Sequence, residues 1–281
     1  MRGSGRNSPG LLGMPDAFAN VSALPDNMID VVVNILETRA AIPSQQEMLT
    51  DYLSRIDFPE HSEVLEVGCG TGPVCRVLAK WPNVSRVVGI DPSPALLAKA
   101  RELAQGVGSI EFEEGNGKSL RFADAAFDVV ILHTILTHVP NPEVILAEAY
   151  RVLKPGGQLG LCDGDFASMT LQTGPNDPLQ VCVQELLDNF VTDRWFARRM
   201  SLMTRTAGFQ VEPIRTYGLI ETSAPGLTMT WVVRGADALV ADGRIGSELR
   251  EALKAEARRR VGNGSFIGYQ TYAALTARKP A

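Results

Sequence analysis

The chain is poor in the residues that build metal-stapled or disulfide-stapled folds. Its 281 residues hold four cysteines and three histidines. Cys69, Cys75, Cys162 and Cys182 form no CxxC pair, and no histidine stands at ligand spacing from them. That pattern argues against a metal site and for buried, reduced thiols. Long apolar runs are missing too. The most apolar stretches, Met28 to Leu36 and Val129 to Val139, are shorter than the roughly 18–20 residues a membrane span needs, and His133 and His138 interrupt the second. No basic excess exists: 27 Lys+Arg stand against 32 Asp+Glu, a net charge of −5, which argues against nucleic acid as the partner. Residues 1–10 are small, basic and polar with no apolar stretch behind them. The expectation is a disordered tail or a tag rather than a secretory signal, and a cytoplasmic protein.

What is present is an ordinary globular balance, 45% hydrophobic and 21% charged, sufficient to bury a core. Short apolar runs alternate with helical periodicity, the pattern of a mostly parallel sheet flanked by helices. Two helices, 25–40 and 43–56, precede strands predicted at 63–67, 86–90, 110–114, 127–132 and 158–162. Helices over 73–80, 94–105 and 143–153 fall between them, the second capped by Ser93 with Pro94 in its first turn. Beyond residue 165, helices are expected at 179–190, 195–207 and 224–260, and strands at 209–222 and 265–278.

Between the first strand and its helix runs Glu66-Val-Gly-Cys-Gly-Thr-Gly72. Glycines there permit positive φ and a close approach of backbone to ligand. Asp91 ends the second strand, where a carboxylate can accept from both hydroxyls of a ribose. Dinucleotide enzymes use G-x-G-x-x-G to seat a pyrophosphate on a helix N-terminus. This turn reads G-x-G-x-G followed by Pro73, which lacks an N–H, and Glu66 at its entrance repels phosphate and attracts an ammonium. A ligand with adenosine, a positive centre and an amino-acid tail fits better than NAD; S-adenosyl-L-methionine is such a ligand.

At this point the sequence resembles the class I S-adenosylmethionine-dependent methyltransferases, in particular the UbiE-like, type 11 small-molecule group. Four segments carry the resemblance in order over residues 60–165: Val64-Leu-Glu-Val-Gly-Cys-Gly-Thr-Gly72; Val88-Gly-Ile-Asp-Pro-Ser93; Gly115-Asn-Gly117 before Leu120-Arg-Phe122; and Phe127-Asp-Val-Val130 leading to His138-Val-Pro140 and Leu153-Lys-Pro-Gly-Gly157. The resemblance implies an α/β Rossmann-like fold with a mostly parallel seven-stranded sheet. It implies that Glu66, Gly68, Cys69 and Gly70 hold the methionine moiety, Asp91 the ribose, and Pro92 with Asn116 and Gly117 the adenine. The family usually has Asp at the position of Asn116, and an Asn carbonyl can accept the same hydrogen bond. His133 meets the cofactor as well, and S-adenosyl-L-homocysteine is the product. His138 is read as structural.

Methyl transfer needs alignment and exclusion of water more than a strong base. His133 is the first candidate for a base, weighed against a cofactor contact; Asp163 and Asp165, after the fifth strand, are weaker catalytic candidates. The aromatic and Met-rich positions Trp195, Phe196, Met200, Met203, Met229 and Trp231 are read as core before cavity lining. After the fourth strand stands His133-Thr-Ile-Leu136, not the Asn/Asp-Pro-Pro-aromatic run of base-amine methyltransferases, and no Pro-Cys pair exists. The expected activity is therefore methyl transfer to O, C or N of a small, apolar or aromatic metabolite, with no membrane partner and homo-oligomerisation open. Its alternative is a non-methylating reaction such as cyclisation or decarboxylation on the same fold, and behind that an NAD-dependent oxidoreductase. Residues 11–58 are expected as an N-terminal helical cap. The methyltransferase domain is expected over 59–281, with cap insertions at about 166–191 and 224–260.

Overall fold

The computed structural model describes residues 16, 18–222 and 226–281, so the tail expected at 1–10 lies outside the described residues. The chain opens with helices α1 (Asp26–Ala41) and α2 (Pro43–Leu53). Then β1 (Ser62–Val67), α3 (Pro73–Leu78), β2 (Val84–Asp91), α4 (Pro94–Leu103), β3 (Ile110–Glu114), β4 (Phe127–His133), α5 (Pro142–Val152) and β5 (Leu153–Thr170) alternate. The remainder is α6 (Gln180–Asn189), α7 (Phe196–Thr206), β6 (Gln210–Val211), β7 (Arg215–Glu221), α8 (Leu227–Ala241), α9 (Ser247–Gly262) and β8 (Gly268–Arg278).

One sheet holds the strands in the order β3-β2-β1-β4-β5-β8-β6, with β7 also on β8. Pairs among β1 to β5 are parallel, and β8 runs antiparallel to β5, β6 and β7. The α/β Rossmann-like fold is as expected. Its strand count differs: the described residues form an eight-stranded sheet. The strand expected over 209–222 is two strands because Pro213 has no N–H to give the ladder. β6 pairs Val211 with Ala277, β7 pairs Arg215 with Ala274, and the register slips by one residue between them.

Both faces of the sheet are buried, which explains the near-continuous apolar strands. Val64, Val129 and Ile131 face one core with Tyr52, Leu53, Val74 and Leu97, while Leu65, Val130 and Leu132 face another with Leu146, Phe196 and Met200. Thus α2, long expected as part of a cap, supplies Tyr52 and Leu53 to the sheet's own core. The expected insertion at 166–191 begins as strand, since β5 continues to Thr170 through a bulge after Asp165. The expected helix 224–260 is two helices, parted at a turn where Gly243 holds φ 68°. Ser93 caps α4 as predicted, accepting from Leu96 N–H at 3.3 Å, with Pro94 in the first turn.

Candidate functional site

The strand order reverses between β1 and β4, and open α/β sheets bind ligands at the carboxyl ends of strands beside such a reversal. A cavity of about 350 Å³ lies there. Its floor is the turn after β1. Gly68 and Cys69 donate their N–H groups to Ile90 C=O at 2.8 and 2.9 Å, tying the turn to the end of β2. Gly68, Gly70 and Gly72 hold φ of 74°, 53° and 74°, a region that side chains disfavour. Gly70 N–H donates to Asp91 Oδ2 and Ser93 N–H to Asp91 Oδ1, both at 2.9 Å. Each carboxylate oxygen therefore keeps a lone pair for a ligand. Burial pushes the Asp91 carboxyl up to about 6, with the Ser93 and Gly70 N–H groups opposing.

Glu66 is 2% exposed and lines the same cavity. Cys75 S–H donates to its Oε2 at 2.8 Å. Burial raises the Glu66 carboxyl to about 7; the Cys75 hydrogen bond opposes this, and the nearby Asp91 adds to it. The start of α3 is closed by a further acid: Glu37 of α1 accepts from Thr71 Oγ1 at 2.5 Å and pairs with Arg76 at 2.7 Å. Glu66 and Asp91 thus face the cavity beside the turn while Arg76 neutralises Glu37 behind it, an environment hostile to phosphate and suited to a cation.

Pro92, Asn116 and Gly117 line the neighbouring wall. The Asn116 side-chain oxygen accepts from Lys118 N–H at 2.9 Å, which leaves it one lone pair. At Gly117 a Cβ would meet Val67 Cγ1 at 2.7 Å, so no side chain fits there. All nine positions expected around a cofactor, Glu66, Gly68, Cys69, Gly70, Asp91, Pro92, Asn116, Gly117 and His133, line this one cavity.

The catalytic candidates separate. His133 lines the cavity, with Tyr52 Oη 3.0 Å from its Nδ1 and the two rings stacked at 5.9 Å between centroids. Burial, and secondarily the Arg39 charge, lower His133 to about 3. Asp163 and Asp165 stand outside the cavity lining. Asp163 is fully buried, and its oxygens accept Thr137 N–H at 3.1 Å and Gly164 N–H at 2.9 Å, so it fixes the loop after β4. Asp165 is held by Arg198 Nε at 3.1 and 3.0 Å. The alternation along β5 turns these carboxylates to backbone and to α7 instead of the cavity. His138 is buried with Nδ1 3.0 Å from both Asp16 oxygens, the structural role expected, and it also borders the cavity.

Of the aromatic and Met positions, Phe196 and Met200 are core, Trp195 is 51% exposed beneath Arg198, and Trp231 lines the cavity. Sequence reasoning missed Arg39 of α1, Arg234 of α8, Gln270 and Tyr272 of β8, and Thr134, a β-branched residue held at φ 56° beside the cavity. No motif marks these residues; their elements lie far apart in the chain and meet only over the strand ends. Among the described residues no group of three or more His, Cys, Asp or Glu is gathered to hold a metal ion, and no helix is long and apolar enough to cross a membrane.

Comparison with known proteins bears on this site directly. A family model described as a methyltransferase domain matches residues 65–161. The chain is 41% identical over 101 residues to the demethylmenaquinone methyltransferase of Tropheryma whipplei, covering 36% of this chain and 41% of that protein. It is 32% identical over 173 residues to the ubiquinone/menaquinone biosynthesis C-methyltransferase UbiE of Sinorhizobium fredii, covering 53% and 65%. The chain spans about half the length of the curated relatives it matches. Among solved structures the cyclase SpnF superposes with a TM-score of 0.57 at 24% identity, over 97% of this chain and 98% of that one, a likeness of fold.

Proposed function

We propose, for a chain that belongs through residues 65–161 to the class I S-adenosylmethionine-dependent methyltransferases of the UbiE-like type, that it moves the methyl group of S-adenosyl-L-methionine to O, C or N of a small metabolite. The observation that carries this reading is the acidic, phosphate-repelling floor formed by Glu66 and Asp91 around a glycine turn. The residues fit the cofactor. Glu66 offers a buried carboxylate to its ammonium, and Asp91 has one lone pair on each oxygen for the two ribose hydroxyls. Gly117 brings bare backbone to the cavity wall, and Asn116 retains an acceptor for an exocyclic amine. Arg39, one turn beyond the Leu36 that packs over Gly70, offers a cation for the carboxylate.

Bound there, the cofactor supplies an activated methyl group on a sulfonium, so the chain's own task is positioning. His133 serves that task as a donor. Burial holds the Tyr52 phenol well above its usual value, so it keeps its proton. Tyr52 Oη and His133 Nδ1 are hydrogen-bond partners, and the tautomer we propose is the one in which the phenol donates to Nδ1 and the hydrogen of the neutral imidazole stands on Nε2. An imidazole whose proton affinity lies near 3 takes a proton from a phenol only against several kcal/mol. On this reading His133 is a poor base and serves as a hydrogen-bonding wall of the cavity.

The expected cap is part of this proposal. The segments 11–58, 166–191 and 224–260 choose the acceptor chiefly through α1, α6 and α8, which bring Leu36, Leu186 and Trp231 to the cavity. Calorimetry tests the reading: S-adenosyl-L-methionine and S-adenosyl-L-homocysteine bind and NADH does not. Absence of binding by either sulfur ligand overturns it. Incubation with methyl-labelled cofactor and a metabolite extract then yields a labelled small product. Tight binding with no transfer of label would move the protein to the non-methylating alternative.

A further inference from the structure

The cap side of the cavity holds a cation without a counter-charge. Arg234 of α8 lines the cavity, yet among the described residues its guanidinium makes no hydrogen bond and no ion pair within 4 Å. Its Nε is enclosed without a partner. The carboxylate closest in influence is Asp16, but both Asp16 oxygens are turned to His138, and one of them also accepts from Thr192 N–H at 2.9 Å and Thr192 Oγ1 at 2.7 Å. The guanidinium instead lies over the Phe190 ring, 5.2 Å from its centroid. Gln270 Nε2, on β8 in the same lining, is likewise enclosed without a partner. The surfaces beside them are apolar: Phe166, Phe190 and Trp231.

A half-buried guanidinium whose Nε is enclosed is costly to leave unpaired, and its planar fork matches a carboxylate or a phosphate in bidentate geometry. The three acids near the cavity floor belong to the turn and to the cofactor's ammonium and ribose, and Arg39 serves the cofactor's carboxylate. Arg234 is left over. We propose that the methyl acceptor is an apolar or aromatic body bearing an oxyanion, which Arg234 binds between Phe190 and Trp231. This rests on the cofactor reading above and sharpens its acceptor from apolar to anionic. The anion anchors one end of the molecule against α8, and the apolar body reaches toward the strand ends where His133 stands.

The test uses the full chain saturated with S-adenosyl-L-homocysteine, titrated by calorimetry with phenylacetate, phenyl phosphate and phenylacetamide. The expected result is that at least one oxyanion binds roughly 10-fold or more tighter than the neutral amide; which of the two does so assigns the group as carboxylate or phosphate. Arg234→Gln removes that preference while affinity for S-adenosyl-L-homocysteine stays within about twofold, a difference under about 0.5 kcal/mol. Arg234→Lys restores part of it, because charge remains while the fork is lost. Equal binding of amide and anion overturns the proposal, as does an Arg234→Gln variant that keeps the preference. Failure of both oxyanions to bind the wild-type chain does the same. Loss of cofactor affinity in Arg234→Gln also overturns it, by assigning Arg234 to the cofactor. Should S-adenosyl-L-homocysteine fail to bind the wild-type chain, the cofactor reading falls, and the same titrations without it still decide the anion preference.

Discussion

Replacing Glu66 by Gln should make the ligand-free protein more stable and the cofactor complex weaker. Glu66 is buried with one hydrogen-bond donor, Cys75, and no cation in contact, and burial raises its carboxyl from 4.5 to about 7. A folded-state value above the unfolded one means that its favourable contribution is complete below about pH 4.5 and is lost as pH rises through about 7. Above that, the fold carries the full penalty of an ionised buried acid. The shift corresponds to about 3 kcal/mol, which for a chain of this size is roughly 6–12 °C in Tm. Glutamine keeps an oxygen for the Cys75 thiol and removes the charge. Melting curves of wild type and Glu66→Gln, both ligand-free, should therefore lie close together at pH 5 and diverge by several degrees at pH 8, the variant melting higher. Asp91 titrates in the same window and is common to both proteins, so the difference reports Glu66 together with its coupling to Asp91. Cofactor affinity should move the opposite way, weakening roughly 10- to 100-fold at pH 8 through loss of a charged hydrogen bond. A gap in Tm that is the same at both pH values, or a variant that melts lower at pH 8, would show that the carboxylate ionises at little cost. Undiminished affinity would remove Glu66 from the ammonium site.

The remaining predictions concern groups whose roles diverge from their sequence-level reading. Asp163→Asn should lower Tm by several degrees, since an amide cannot accept from both Thr137 and Gly164 N–H groups and the loss is about 1–3 kcal/mol. Asp165→Asn, by contrast, should change stability by under about 1 kcal/mol, because Arg198, its partner, is half exposed; a large loss of turnover would return Asp165 to the catalytic candidates. Tyr52→Phe should free His133 Nδ1 to bear the proton. Nitrogen-15 spectra of the imidazole would then report a mixed or reversed tautomer where the wild-type chain holds the Nε2–H form, and an unchanged pattern would refute the Tyr52 assignment.

The cavity floor was legible in the sequence because its residues fall in three short segments and each sits where a strand ends. Glu66, Gly68, Gly70, Asp91, Asn116 and Gly117 lie at or just beyond the ends of β1, β2 and β3, and parallel pairing brings those ends to one edge of the sheet. The same rule misled at Asp163 and Asp165. They too lie near the end of a parallel pairing, but β5 runs on to Thr170 beside β8, so its aspartates fall within the strand instead of on a loop. Pro213 was visible in the sequence, and the strand break it makes is a local consequence that the apolar periodicity of 209–222 concealed.

By itself, then, the sequence determined the layered α/β fold and the acidic, glycine-bearing floor, since both follow from local periodicity, backbone freedom and short-range hydrogen bonding. Tertiary structure alone decided the rest of the cavity wall. Arg39, Arg234, Gln270 and Tyr272 come from α1, α8 and β8 and carry no shared spacing. Whether such a residue is an ordinary surface group or an enclosed donor depends on which elements cover it. Arginines at other helical positions, such as Arg198 and Arg259, are half or more exposed, and a carboxylate neutralises each. Arg234 looks the same in the sequence, and only the packing of α8 over the strand ends half-buries it and encloses its Nε with no partner among the described residues.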